Sequence, residues 1–393
     1  DNPPPPSHAA RARRGDNDGG GAAGDDEGGG GRIDGDSSED DEMEGMETSC
    51  PVDVDEDIFL IDSGEHLQAV HDIAAAALKR RRLDRALEIF DKILRSLHAR
   101  GEQEGKRPEH RLVGSTHHNI AVVQMWAGKY EDALKSLENA VRFREMSHPK
   151  FHPAIAVSLA KRGVVQFALD RHDDAIKSFE QALAVRRRVL AFDHLEMGKL
   201  HNNMGAAHQH RGDAISALRS FTSALEIQRP WLEGPVRRAD IVHDASVTLG
   251  NMGRTYLERG DCAMSLYAYE EALLLQTTSF RKDGEVVLTT LGNVARAKAC
   301  GGNISEALRI YGGMLRSIAS VGGAMPDRFA VETTGLMAAL HLAERQDKEA
   351  AACLRRVRDW QRRNLDAAHP ALRGTEANLR QLEQGGRDGG LAP

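Results

Sequence analysis

Apolar positions in the body of the chain recur with a long period. The frame A-x-x-x-[FYL] appears as Ala86/Phe90, Ala133/Leu137, Ala175/Phe179 and Ala217/Phe221. It continues as Ser265/Tyr269, Ala307/Tyr311 and Ala350/Leu354. The first members are spaced by 47, 42, 42, 48, 42 and 43 residues. Twelve residues before each stands a small residue: Ala74, Ala121, Gly163, Gly205, Gly253, Ala295 and Ala338. Polar or glycine-containing breaks separate the two halves, among them "AGKYE", "HRGD", "ERGD" and "GGNIS". Apolar residues at helical spacing on both sides of a short break predict two antiparallel helices per unit.

The residue types suit a hairpin. A small side chain on the first helix lets the second approach closely. The alanine of the second helix is expected to face it. The ring one turn later is expected to fill the space towards the next unit. One hairpin cannot cover its own apolar faces, so neighbouring units stack into a continuous core. The reading is all-α, an α-solenoid of about seven antiparallel helix hairpins over residues 58–384. "AAHPALRGTEANLRQL" repeats the phase of a first helix and serves as a C-terminal cap. Residues 385–393 are expected to form a short disordered tail.

At this point the chain resembles the tetratricopeptide repeat family, whose pattern is W-x₂-L-G-x₂-Y…A-x₃-F. The nearest unit is Leu249, Met252, Gly253 and Tyr256, then Ser265, Tyr269 and Ala272. The 42-residue period is longer than the usual 34 and is similar to the kinesin-light-chain type. A histidine stands eleven residues before the small position in His110, His152 and His194, and His369 repeats the phase. "HNNMG" is similar to the L-N-N-L-A signature of those light chains. The resemblance implies a right-handed superhelix and a non-enzymatic scaffold that binds proteins. No heptad coiled coil precedes the repeats here, so the resemblance covers the repeat type.

The N-terminal stretch changes the picture. Residues 1–57 hold 18 acidic residues and four arginines, a net of −14. The rest holds 41 acidic and 48 basic residues, a net of +7, so the overall −7 hides an acidic tail on a basic body. The tail is rich in Gly, Asp and Glu and poor in apolar residues. It cannot bury enough surface to offset its ordering entropy, and reads as disordered. Its glycines lack any phosphate-loop context. Ser37 and Ser38, in "SSEDDE", have the acids that an acidophilic kinase reads three residues on. Asp62 and Glu65 have capping-box spacing, which starts the first helix near Ser63. "EDIFLID" just before it is expected to cover the apolar edge of the first unit. The alternative is an intramolecular contact, in which this acidic segment occupies the basic groove of its own solenoid.

The chain opens at Asp1 rather than Met, as a fragment or processed form would. It has no apolar leader and no run of 18 apolar residues. Its four cysteines, Cys50, Cys262, Cys300 and Cys353, are scattered without a C-x-x-C pair. These features point to a reduced, cytoplasmic protein.

Candidate chemistry follows the repeat register. With the small residue at position 8, position 6 reads Asn119, Lys161, Asn203, Asn251, Asn293 and Leu336, and Asn378 in the cap. In the resembled family this position faces the concave groove, where asparagines hold the backbone of an extended peptide. An amide both donates and accepts, so it can grip a peptide bond in either sense. The alternative is that these asparagines satisfy groups between repeats. On the same face Arg254 and Arg296 at position 9, Lys199 at position 2 and Lys161 would make the groove basic. The expected ligand is an extended acidic peptide with an apolar anchor. A structural subunit working through its convex face or its ends is the second reading.

No convergent catalytic constellation appears, so no enzyme, cofactor, metal or small-molecule substrate is expected. His201, His208 and His210 sit at positions 4, 11 and 13 of one helix. The first two stand two turns, ~10 Å, apart, too far to chelate one ion directly. "LKRRRLDR" and "AVRRRVL" are basic, but few aromatics offer stacking platforms for nucleic acid. The junctions "RPWLEGPVRRADIVHD" and "SVGGAMPDRF" are expected to be flexible or partner-contacting loops.

Overall fold

The computed structural model describes residues 83–103, 110–189, 195–233, 238–279, 284–321 and 327–388. The acidic tail with Ser37 and Ser38, "EDIFLID", the first helix of the first unit, His194 and Cys50 lie outside them. All described residues belong to one unit, Thr48–Pro393.

Fourteen α-helices and no strand occur among the described residues. They are α1 (Leu83–Gln103), α2 (His110–Trp126), α3 (Tyr130–Ser147), α4 (Pro153–Ala168), α5 (His172–Val189), α6 (Leu195–His210) and α7 (Ala214–Leu232). Then come α8 (Ala239–Glu258), α9 (Cys262–Ser279), α10 (Glu285–Cys300), α11 (Ile304–Val321), α12 (Asp327–Ala343), α13 (Asp347–Asn364) and α14 (Pro370–Asp388). The helix α1 is the second helix of unit one. The pairs from α2/α3 to α12/α13 are units two to seven, and α14 is the added first helix. The 384 boundary falls inside its final turn.

From α3 onwards each second helix packs on its own first helix and on the next first helix, and α1 packs on α2. The first helices α4, α6, α8 and α10 also touch one another in succession, and no comparable contact joins successive second helices. Curvature of a stack brings the inner helices together, so the first helices form the inner row and the second helices the outer one.

The hairpin register has a physical cause visible at three glycines. A Cβ on Gly163 would stand 2.6 Å from the Phe179 ring, and one on Gly205 2.6 Å from Phe221. On Gly253 it would stand 2.8 Å from Tyr269. The ring therefore lies over the glycine of its own hairpin, rather than only towards the next unit as the pattern suggested. Tyr269 does both, packing also with Val294 and Ala297 of the following first helix. At Ala121 and Ala338 the partner is the smaller Leu137 or Leu354, whereas Ala295 shares its core cluster with Tyr311.

The breaks follow one rule. The residue at the same point of every described hairpin turn is left-handed: Gly128, Asp170, Gly212, Gly260, Gly302 and Arg345, with φ from 56° to 85°. The recurring histidines also gain a role. His152 accepts at Nδ1 from the Ala154 amide at 3.2 Å, and His369 does the same for Ala371. Each caps a helix whose next residue is proline, which has no amide hydrogen to satisfy.

The "RPWLEGPVRRADIVHD" junction is mostly helix. Arg229–Leu232 extend α7 and Ala239–Asp244 open α8. Pro230 is tolerated because it costs the final turn only one backbone bond. Of "SVGGAMPDRF", Ser320 and Val321 finish α11 and Asp327 starts α12.

A polar column runs through the stack eleven residues after the alanine. It reads Arg144, Arg186, Gln228, Gln276 and Gln361, all buried, with Ile318 interrupting it in unit six. Arg144 donates to the Ala154 carbonyl at 2.7 Å and to Ser158 Oγ at 2.6 Å, and Arg186 pairs with Glu196 at 3.1 Å. Each arginine thus stitches its unit to the first helix of the next. Burial without a carboxylate pushes the Arg144 guanidinium down to about 10.

Candidate peptide-binding face

The proposed residues lie along the inner row, on α2, α4, α6, α8 and α10. Their accessibility divides them. Asn119, Lys161 and Asn251 are buried, Asn203 and Asn293 are half-buried, and Arg296 is exposed. Asn251 donates from Nδ2 to Asn202 Oδ1 of the preceding first helix at 3.3 Å. This amide serves contact between units, which the pattern at a single position could not reveal. Leu336 stands exposed at the matching place on α12, and Asn378 is exposed on α14.

The cations differ in what already holds them. Lys199 lies 3.8 Å from Glu196 and 4.0 Å from Asp244. Arg254 donates to Gln209 Oε1 at 2.8 Å, and Gln209 in turn donates to Glu258 at 3.0 Å. Arg296 forms no ion pair or hydrogen bond among the described residues. It lies near the hydroxyls of Tyr269 and Tyr311, both pushed up to about 12 by burial. Asn293 and Arg296 are three residues apart on α10 and share a face. Together they present an amide and an uncommitted guanidinium on the inner row, a pair suited to a peptide bond and a carboxylate.

The three histidines of α6 diverge. His201 is buried. His208 lies 3.2 Å from Arg211 and 3.8 Å from Asp213. His210 packs edge-on against Phe167, centroids 5.0 Å apart, and lies 5.4 Å from the His172 ring. No group of three or more His, Cys, Asp or Glu able to hold a metal occurs among the described residues. In the arginine run, Arg186 is committed to Glu196, and Arg188 lies over the exposed Phe151 ring at 5.5 Å. No helix among the described residues is long and apolar enough to cross a membrane.

Two features escaped the sequence pattern. Cys262 and Cys300 form a disulfide, so the fully reduced state expected from their scatter is corrected for this pair. The described Cys353 is free. On the outer face, α9 exposes Met264, Tyr267 and Leu274, the last two more than three-fifths accessible.

Comparison with known proteins agrees with the architecture. Residues 112–188 and 244–312 match the tetratricopeptide repeat family. No curated protein matches the chain. Among solved structures, BtubC (BKLC) from P. vanneervenii is similar with a TM-score of 0.50 and 16% identity, over 62% of this chain and 94% of that one. The putative kinesin light chain nearly identical TPR-like repeats of Podosopora anserina align with a TM-score of 0.46 and 19% identity, over 53% and 96%. At these identities the likeness concerns the fold.

Proposed function

We propose that this tetratricopeptide-repeat protein, whose units are of the kinesin-light-chain-like type, is a non-enzymatic adaptor that binds an extended acidic peptide of a partner protein along its inner row. The observation that carries the reading is the exposed, unpaired Arg296 beside Asn293 on α10. Lys199, Arg254 and Asn203 extend the polar character of that row on neighbouring first helices, with Asn119, Lys161 and Asn251 as its buried members. An extended chain placed there meets the accessible amides of Asn203 and Asn293, and an acidic side chain meets the Arg296 guanidinium. Ser37 and Ser38 remain proposed phosphorylation sites of the tail. The experiment is a selection from a library of extended acidic peptides with one apolar anchor, followed by affinity measurement. Asn293→Ala and Arg296→Ala are expected to weaken the selected peptide by about tenfold each, the loss of one charge-assisted or amide bond. Wild-type affinity in both variants rejects the groove.

A second reading rests on α9. Its exposed Met264, Tyr267 and Leu274 give the outer face an apolar stripe that suits docking in an assembly. A Tyr267→Ser/Leu274→Ser variant that loses its partners while an Arg296 variant keeps them would favour this reading.

A further inference from the structure

The disulfide joins the first residue of α9 to the last residue of α10, so it links unit five to unit six at the edge where the hairpin turns lie. We infer that Cys262 and Cys300 are a reversible redox-modification site that stiffens this junction when oxidised.

Repeat geometry brings the thiols together. Counted from the register, Cys262 stands three residues before Ser265 and Cys300 five residues after Ala295. The same two places at the junction of units three and four hold His172 and His210, whose ring centroids lie 5.4 Å apart without any covalent bond. Stacking alone therefore puts these two side chains in contact. With Cα atoms 5.6 Å apart, the cysteine pair needs no backbone movement to bond.

The junction does not depend on the bond. Tyr269, Val294 and Ala297 pack across it. Lys298 adds ion pairs to Glu270 of α9 at 3.6 Å and to Glu306 of α11 at 3.5 Å. Reduction removes a staple from an interface that has its own core, so it loosens the edge without unstacking the units. Access is open as well: Cys300 is exposed and Cys262 half-exposed, which admits a small thiol to either sulfur.

The chemistry is thiol–disulfide exchange. One cysteine thiolate attacks a small-molecule disulfide and expels one thiolate, leaving a mixed disulfide on the chain. The second cysteine thiolate attacks the first cysteine's sulfur, forming the Cys262–Cys300 bond and expelling the other small thiolate. The protein loses two electrons and two protons, and one small-molecule disulfide becomes two thiols. An added dithiol reverses the sequence and leaves as its own cyclic disulfide.

The test uses the full chain in buffers spanning ratios of reduced to oxidised glutathione, quenched with an alkylating reagent and mapped by mass spectrometry. The Cys262–Cys300 crosslink should appear and vanish along one reversible two-electron transition, with Cys353 alkylated throughout. Hydrogen exchange should be several-fold slower in the oxidised form at the first turn of α9 and the last turn of α10, and unchanged in α4 and α5. In Cys300→Ser, exchange should lose its redox dependence. If that variant misfolds, the two states of the native chain still decide. A crosslink absent at the most oxidising ratio, or one that resists the dithiol, overturns the inference. So does identical exchange in the two states.

Discussion

Arg345 adopts φ 56° at a turn position where four other units place glycine. An L side chain in this conformation costs roughly 1–2 kcal/mol. Arg345→Gly should therefore raise the stability of the chain by about 0.5–1 kcal/mol, after the added freedom of the unfolded glycine is subtracted. Chemical denaturation measures it, and a destabilised variant would show that the arginine earns its strain elsewhere. Arg144 poses the opposite question. It is buried with neutral partners, and Gly114 leaves no room beside it, since a Cβ there would meet Arg144 Cγ at 2.9 Å. Units four, five and seven place glutamine at this position, and there the fit is looser: a Cβ on Gly198 would meet Gln228 Cγ only at an ordinary contact distance of 3.6 Å. Arg144→Gln keeps the stem contact and removes an uncompensated charge, so it should cost less than about 1 kcal/mol. Arg144→Ala empties the site and should cost about 2–4 kcal/mol.

Among the hairpins, the contact between glycine and ring sets the spacing of the two helices. Gly205→Leu would drive a side chain into Phe221, which is fully buried with no free volume to receive it. Phe221→Ala should cost about 3–5 kcal/mol by opening a cavity against Gly205. Hydrogen exchange should place the loss in α6 and α7 first, because each unit leans mainly on its neighbours. Undisturbed helicity and exchange in Gly205→Leu would contradict the register. This register was legible because alanine, small residue and ring recur at fixed offsets, and such a pattern has few other physical meanings. The partner of each side chain was not legible. Nothing in the spacing of Asn251 announces its bond to Asn202, which depends on how two first helices are rotated. The Cys262–Cys300 pair is 38 residues apart and comes together only when consecutive units stack. The capping role of His152 was visible as a recurrence, and its reason emerged only with the proline-started helix behind it.

For the stack as a whole, the buried His118 and the half-buried His117 and His148 tie stability to pH. Desolvation and nearby cations hold His118 well below its usual value, and burial lowers His117 and His148 to about 4. These groups stay neutral in the folded chain while the unfolded chain binds protons below about pH 6.5. Their contribution is complete above that pH and is lost progressively as pH falls below it. The denaturation midpoint should therefore drop between pH 7 and pH 5, and a flat profile would refute this linkage. His118→Gln should reduce the slope, since one proton fewer is excluded from the core.

The same stack gives the proposed function its shape, because Asn203, Asn293 and Arg296 keep accessible polar groups on first helices while Asn119, Lys161 and Asn251 are buried. Side-specific photocrosslinking tests that most directly. A photoreactive residue is placed at Asn293 on the inner row or at Tyr267 on the outer face, and the full chain is exposed to the selected acidic peptide. The account predicts crosslinking from position 293 that unlabelled peptide competes away, and none from position 267. Peptide captured at 267 and not at 293 would contradict it.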